Sequence, residues 1–152
     1  MYPTLESRAD ILKMLDEGTA VRKEILDRCA RLDPAKLNDP VYPGTWSVLQ
    51  NLAHLAWAEA WMLAWIQKRP GTLPAGERPP EPPLDLKAIR TALDEAHAAV
   101  IGFLKANPES VLKERCQYSR QGEQTVGGVL FHLIQHEIHH RGFIQHKLGK
   151  LG

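Results

Sequence analysis

The chain has little cysteine, no surplus of either charge and no long apolar run, and each shortage removes a class of protein. Cys29 and Cys116 are its two cysteines. They are too few and too far apart in sequence for a disulfide framework or a thiolate metal site, and they suit a reducing compartment. Lys plus Arg number 19 against 18 for Asp plus Glu, a formal charge of +1. Nothing there supplies the basic stripe with which a nucleic-acid binder neutralises phosphates. The most apolar stretch, 52–66, contains His54 and Glu59 and is too short to span a bilayer. Residues 1–6 lack the basic-then-apolar order of a signal peptide. No internal repeat is evident, and no segment of strand period is long enough to suggest a sheet. What remains is a 152-residue chain, 43% hydrophobic and 24% charged, which reads as one globular domain over residues 1–152. The expected setting is cytoplasmic, with neither nucleic acid nor membrane as a partner.

Four segments carry helical periodicity. In the first, Ile11, Met14, Gly18, Val21, Ile25, Cys29 and Leu32 recur at steps of three and four. Gly18 on that stripe would admit close approach of a neighbouring helix, and Asp33-Pro34 ends the segment. The second begins near Ser47, where Ser47-x-x-Gln50 reads as a capping box, and runs to about Lys68. Six prolines between Pro70 and Pro83 then exclude helix interior and predict an extended crossover. Asp85 caps the third, whose stripe is Leu86, Ile89, Leu93, Val100 and Leu104, and Asn107-Pro108 terminates it. The segment from Val111 to Gln124 reads as polar and irregular, with a short extended piece around 116–119. The fourth helix runs from Thr125 to about Leu148, closed by Gly149. The fold class this predicts is all-α, a four-helix bundle.

Seven histidines stand out, four of them between 132 and 140. On the fourth helix the apolar stripe reads Val126, Val129, Leu133, Phe143 and Leu148, and His136 and His140 fill the gap within it. Buried imidazoles are costly unless each polar nitrogen finds a partner. A divalent metal partners both, and His at i and i+4 is the spacing that zinc helices use. On the second helix, apolar almost all round, His54 lies within roughly sixty degrees of Trp57, Trp61 and Trp65. Glu59 falls about one hundred and forty degrees from His54, a poor candidate for the same site. A satisfied core histidine, or a solvated and mildly basic histidine face, is the ordinary alternative to a ligand.

Thr45-Trp46-Ser47-Val48-Leu49-Gln50-Asn51-Leu52-Ala53-His54-Leu55 resembles the second-helix signature of the DinB-like (DinB/YfiT) superfamily. His132-Leu133-Ile134-Gln135-His136-Glu137-Ile138-His139-His140-Arg141-Gly142 resembles its fourth-helix signature. The resemblance covers essentially the whole chain. It implies a bundle with crossover connections, for which 33–46, 69–84 and 107–124 are long enough, and often a homodimer. It also implies that the family's three metal-binding histidines correspond to His54, His136 and His140. One departure is Phe143, where relatives commonly carry Gln after Arg-Gly, which bears on the outer surroundings of the site and not on the three histidines.

The remaining polar residues have lesser expected roles. His132, one turn before His136, fits the site mouth better than a fourth ligand position. Asn51 lies on the polar arc near His54, and Arg141 suits either a local salt bridge or an anionic substrate. His139 reads as a flank, and His97 as a hydrogen-bonded boundary histidine. Three imidazoles leave coordination positions open, whereas a closed structural site uses a fourth protein ligand. Zinc in such a site lowers the pKa of bound water toward about 7 or takes a thiol as thiolate. Nickel, iron, manganese and copper also accept histidine. The resemblance implies a thiol S-transferase, with a low-molecular-weight thiol as co-substrate, or a hydrolase of small molecules. The rival is a non-catalytic metal-binding or stress protein. The apolar excess on the second helix predicts a homodimer with that helix at or beside the interface.

Overall fold

A computed structural model describes residues 1–69 and 78–152. The expected strap from Pro70 to Pro83 therefore lies largely outside the described residues. Ser7 opens α1 (Arg8–Cys29), its side chain accepting from the Asp10 N–H. Asp33 caps a short α2 (Pro34–Asn38) within the 33–46 connection. The capping box at Ser47 forms in both directions and starts α3 (Val48–Ile66). Such a cap contributes about 1 kcal/mol by satisfying amides that have no partner inside the helix. Asp85 caps α4 (Leu86–Ala106), and Thr125 caps α5 (Val126–Leu151), which runs through Gly149 instead of ending there.

The four long helices pack as a bundle with α3 at its centre, against both α4 and α5. Val48, Leu49, Leu52, Leu55, Met62, Leu63 and Ile66 of α3 are all buried, so its all-round apolar character is covered largely within the chain. Two apolar clusters fill the interior. One gathers Ile11, Leu15, Met62, Val100, Leu104, Val129 and Leu133, and the other Ile25, Leu52, Leu55, Leu93, Ile144 and Leu148. Each fully buried Leu or Ile contributes about 1.5–3 kcal/mol relative to exposure. Along α1 and α5 the buried Arg22 and Glu137 fall between the two clusters, and on α3 His54 and Glu59 flank the boundary where one cluster gives way to the other.

Several expectations need correction. The α1 stripe is centred on Ile11, Leu15, Arg22, Ile25, Leu26 and Cys29, leaving Met14 and Val21 half-buried. Gly18 admits no close helix, since a Cβ there would meet only the Arg141 guanidinium at 3.9 Å. Phe143 is half exposed, and Ile144 takes the inward position. On the α5 wheel the buried Val126, Leu133, Ile144 and Leu148 centre roughly eighty degrees from His136, with Phe143 about a hundred degrees off that centre. The histidines thus occupy one edge of the core stripe and Phe143 lies beyond it.

The 107–124 connection is more ordered than its composition suggests. A 3-10 turn (Glu109–Lys113) leads into β1 (Arg115–Gln117), which pairs antiparallel with β2 (Glu123–Thr125) in a two-stranded sheet. Each strand is three residues long, too short for a periodic signal. Against this hairpin lies the N-terminal segment. Tyr2 donates its N–H to Gln124 Oε1 at 2.8 Å, and Leu5 donates to the Gly127 carbonyl at 3.3 Å. A Cβ at Gly127 would stand 2.1 Å from the Leu5 oxygen, so this crossing requires glycine. No helix among the described residues is long and apolar enough to cross a membrane.

Candidate metal centre

α3 presents His54 two turns past its capping box, and α5 presents His136 and His140 one turn apart. Each of the three offers a ring nitrogen, and these atoms all lie within 4.8 Å of one another. His54 Nε2 and His136 Nε2 are 3.1 Å apart, close to the edge of about 3.4 Å that ~2.0–2.1 Å zinc–nitrogen bonds would span in a tetrahedron. His54 is buried, and the other two are half-buried.

The tautomer of His140 follows from its neighbour. Asn51 Nδ2 donates to the Ser47 carbonyl at 2.9 Å, which turns Asn51 Oδ1 toward His140 Nδ1, also at 2.9 Å. An amide oxygen only accepts, so His140 Nδ1 carries the hydrogen and Nε2 keeps its lone pair. The start of α3 is therefore part of the site. Its N-cap carbonyl holds the amide that orients a histidine 89 residues further along the chain.

Burial keeps His136 and His140 neutral. Desolvation, reinforced by His140, His54 and the other nearby histidines, pushes His136 down to about 3. Desolvation with His54 and His139 pushes His140 down to about 4, and desolvation lowers His132 as well. Protons consequently do not compete for these lone pairs at neutral pH. Three convergent imidazoles, with His136 and His140 held neutral by burial, are a donor set that fits a borderline divalent ion such as zinc.

Around the cluster the structure places residues of two kinds. His132 shares a hydrogen bond of 2.8 Å between Nδ1 and the Tyr118 hydroxyl and stacks on Tyr2, with ring centroids 4.6 Å apart. With His54, His136, Trp57, Trp61 and Tyr118 it lines a cavity of about 370 Å³, consistent with a position at the mouth. On the other side His140 borders a cavity of about 550 Å³ with Trp46, Tyr42, Phe143 and Lys147. Lys147 donates to the Pro40 carbonyl and to Thr45 Oγ1, which fixes the loop leading to Trp46. The Trp46 ring lies 4.9 Å from His54 and 6.2 Å from His140, centroid to centroid. Helical periodicity could not place Trp46, because it precedes the helix and no wheel includes it.

Arg141 goes elsewhere: its guanidinium lies beside Gly18 of α1, with Nε buried and no hydrogen-bond partner. His139 is exposed against Phe143. Glu59 and His97 belong to a second polar group, unforeseen from the sequence, that adjoins the histidines. Arg22 Nε and Nη2 donate to the two oxygens of Glu137 at 3.0 and 2.9 Å, and Nη2 also donates to Glu59 Oε2 at 3.1 Å. Glu59 Oε1 meets His97 Nδ1 at 2.9 Å, and His97 Nε2 meets Thr19 Oγ1 at 3.0 Å. Burial works against the Arg22 charge, but Glu137 and Glu59 more than offset it, and its pKa is raised.

The fold and these convergent histidines define a class, four-helix bundles with a three-imidazole cluster between two helices. The DinB superfamily matches the chain over residues 17–144, and the chain belongs to that superfamily. Among solved structures it is similar to a DinB-like protein from Bacillus cereus ATCC 10987, at a TM-score of 0.73 and 20% identity over 99% of this chain and 94% of that one. It is also similar to TT2238, a four-helix bundle protein, at a TM-score of 0.65 and 23% identity over 91% and 98% of the two chains. At such identities the likeness shows the fold. No curated protein matches the chain.

Proposed function

We propose that the protein is a metal-dependent enzyme in which His54, His136 and His140 hold one divalent ion, zinc in the first instance, next to a small-molecule cavity. The observation that carries this reading is the approach of three ring nitrogens to within 4.8 Å of one another. A bound ion would supply Lewis acidity toward a thiol or a water molecule. The protein's own part is to keep the imidazoles neutral, to fix the His140 tautomer through Asn51 and to shape the aromatic space around the cluster. Trp57, Trp61 and Tyr118 in that space suit an apolar or flat substrate moiety. The reactions that fit are S-transfer from a low-molecular-weight thiol and hydrolysis. Elemental analysis of the purified protein tests the reading first. About one equivalent of metal is expected in wild type and in His139→Ala, and sharply less in His54→Ala, His136→Ala or His140→Ala. Full occupancy in His136→Ala would defeat it. Screening thiol and electrophile pairs, with and without chelator, then separates an enzyme from a passive metal binder.

The homodimer belongs to the same proposal. α3 and α4 leave a wide groove between them, of about 810 Å³, with Ala53, Trp57 and Ala60 facing Ala88, Ala92 and Ala99. Small side chains on both rims let a second copy approach closely. Sedimentation at micromolar concentration should give a species of twice the 17.1 kDa chain mass, and a lone monomer would refute the dimer.

A further inference from the structure

Between the histidine cluster and the Arg22 network lies a small void of about 10 Å³. Leu55, Met62 and Leu133 form its apolar walls, and Arg22, Glu59, Glu137 and His136 border it as well. That volume is about what one water molecule needs, and buried waters occupy sites that offer two to four polar partners. This void offers a guanidinium, two carboxylates and an imidazole.

The requirements of His136 point to the same place. Its Nε2 faces His54 Nε2 at 3.1 Å, and in the metal-loaded site its lone pair would go to the ion. The hydrogen of the neutral ring then sits on Nδ1, which hydrogen-bonds no other described side chain. The wider cavity of about 370 Å³ touches both His136 and His54, whereas the small void touches His136 and not His54. His140 already has its outer partner in Asn51, whereas His136 has no direct one. Both carboxylates keep acceptor capacity beyond their bonds to Arg22 and His97, since each ionised oxygen accepts twice.

We propose that one water fills this void, accepts the Nδ1 hydrogen of His136 and donates to Glu59 and Glu137, so that the Arg22 network positions a ligand of the metal centre. Resting on the metal reading above, this makes Glu59 a positioning residue without direct contact to the metal. It also gives the two ligands of α5 different outer partners, an amide for His140 and a water on paired carboxylates for His136. Outer partners of this kind fix ring orientation and raise ligand basicity.

Two measurements test the assignment. Long-range proton–nitrogen NMR of the metal-free protein should show His136 as the Nδ1–H tautomer in wild type and a mixture of tautomers in Glu59→Gln. Competition with a fluorescent chelator for Zn²⁺ should show affinity weakened by about 10–100-fold in Glu59→Gln. His97→Ala removes a Glu59 partner that does not border the void, so it should lower the melting temperature while leaving tautomer and affinity unchanged. Leu133→Phe, which fills the void with carbon and alters no charge, should reproduce the Glu59→Gln phenotype and serves where that variant fails to fold. An Nε2–H tautomer in wild type, or Zn²⁺ affinity within twofold of wild type in Glu59→Gln or in a folded Leu133→Phe, would overturn the proposal. Failure of wild type to bind Zn²⁺ would instead defeat the metal reading, and the change of tautomer between wild type and Glu59→Gln or Leu133→Phe would then decide the water.

Discussion

His54 and Glu59 sit five residues apart on the same helix, both buried, in clusters that differ in kind. The Arg22 group is electrostatically complete: opposite charges meet at 2.9–3.1 Å and the fork of Arg22 matches the Glu137 carboxylate on two atoms. The histidine cluster is complete on its outer side, where Asn51 fixes His140, while on its inner side His54 Nε2 and His136 Nε2 face each other at 3.1 Å. One group spends its polar atoms on the fold. The other gathers three ring nitrogens within 4.8 Å of one another, a set that could hold a metal ion. Both lie near the boundary between the two apolar clusters, so a self-sufficient charge network borders the histidine cluster at mid-height of the bundle.

The largest expected effect comes from breaking the completed half. Arg22→Ala leaves two buried carboxylates without their cation and should cost about 3–5 kcal/mol of unfolding free energy, read from urea denaturation. Loss of less than about 1 kcal/mol would mean that the network does not brace the bundle. His136→Ala in metal-free protein should cost far less, because the ring it removes is neutral and in a half-buried place.

Next in size is the response to pH. His136 and His140 titrate near 3 and 4 in the fold, against about 6.5 in an unfolded chain. The unfolded state therefore binds more protons below pH ~6.5, and stability falls as pH falls from there toward the folded values. Above that range these groups contribute no slope. Urea midpoints in chelator between pH 4 and 8 should show this decline, and His136→Ala should make it shallower. An unchanged slope in that variant would remove His136 as its source.

A smaller effect is expected at Asn51→Ala, which frees the His140 ring and should weaken Zn²⁺ binding by about 10–100-fold, measured by chelator competition. Part of any accompanying loss of stability would come from the start of α3, where Asn51 also holds the Ser47 carbonyl. The smallest belongs to Phe143→Gln. The side chain is half exposed, so the melting temperature should move by no more than a degree or two, and a large drop would contradict its placement outside the core.

The three histidines were legible because each interrupts an apolar period on its own helix, which requires only local spacing. Ser47 was legible for the same reason, its capping box spanning four residues. Arg22 was not. An arginine in α1 is ordinarily solvated, and its burial depends on partners 37 and 115 residues away, which no local pattern reports. The pairing of Glu137 with Arg22 was not legible for a related reason. A carboxylate one position past a histidine reads as the outward neighbour, yet the core centre of α5 lies on the Glu137 side of His136. Trp46 and Tyr118 approach the cluster from connections, where periodicity has nothing to say, and three-residue strands are too short to announce a hairpin.

The crossing of Leu5 over Gly127 also has a consequence for the order of assembly. Tyr2, which stacks on His132, is held by bonds that close a loop of more than 120 residues, Tyr2 to Gln124 and Thr4 to Thr125. The entropy of closing so long a loop must be met before those few contacts return anything. The N-terminal segment therefore docks after the helices have packed, and its docking depends on residue 127 having only a hydrogen where a methyl group would stand. The Leu5 amide should exchange with solvent well before the amides of α3, and equal protection of the two would show that the segment folds with the bundle. That wall of the histidine centre is expected to close after the bundle has packed and to open before it unfolds.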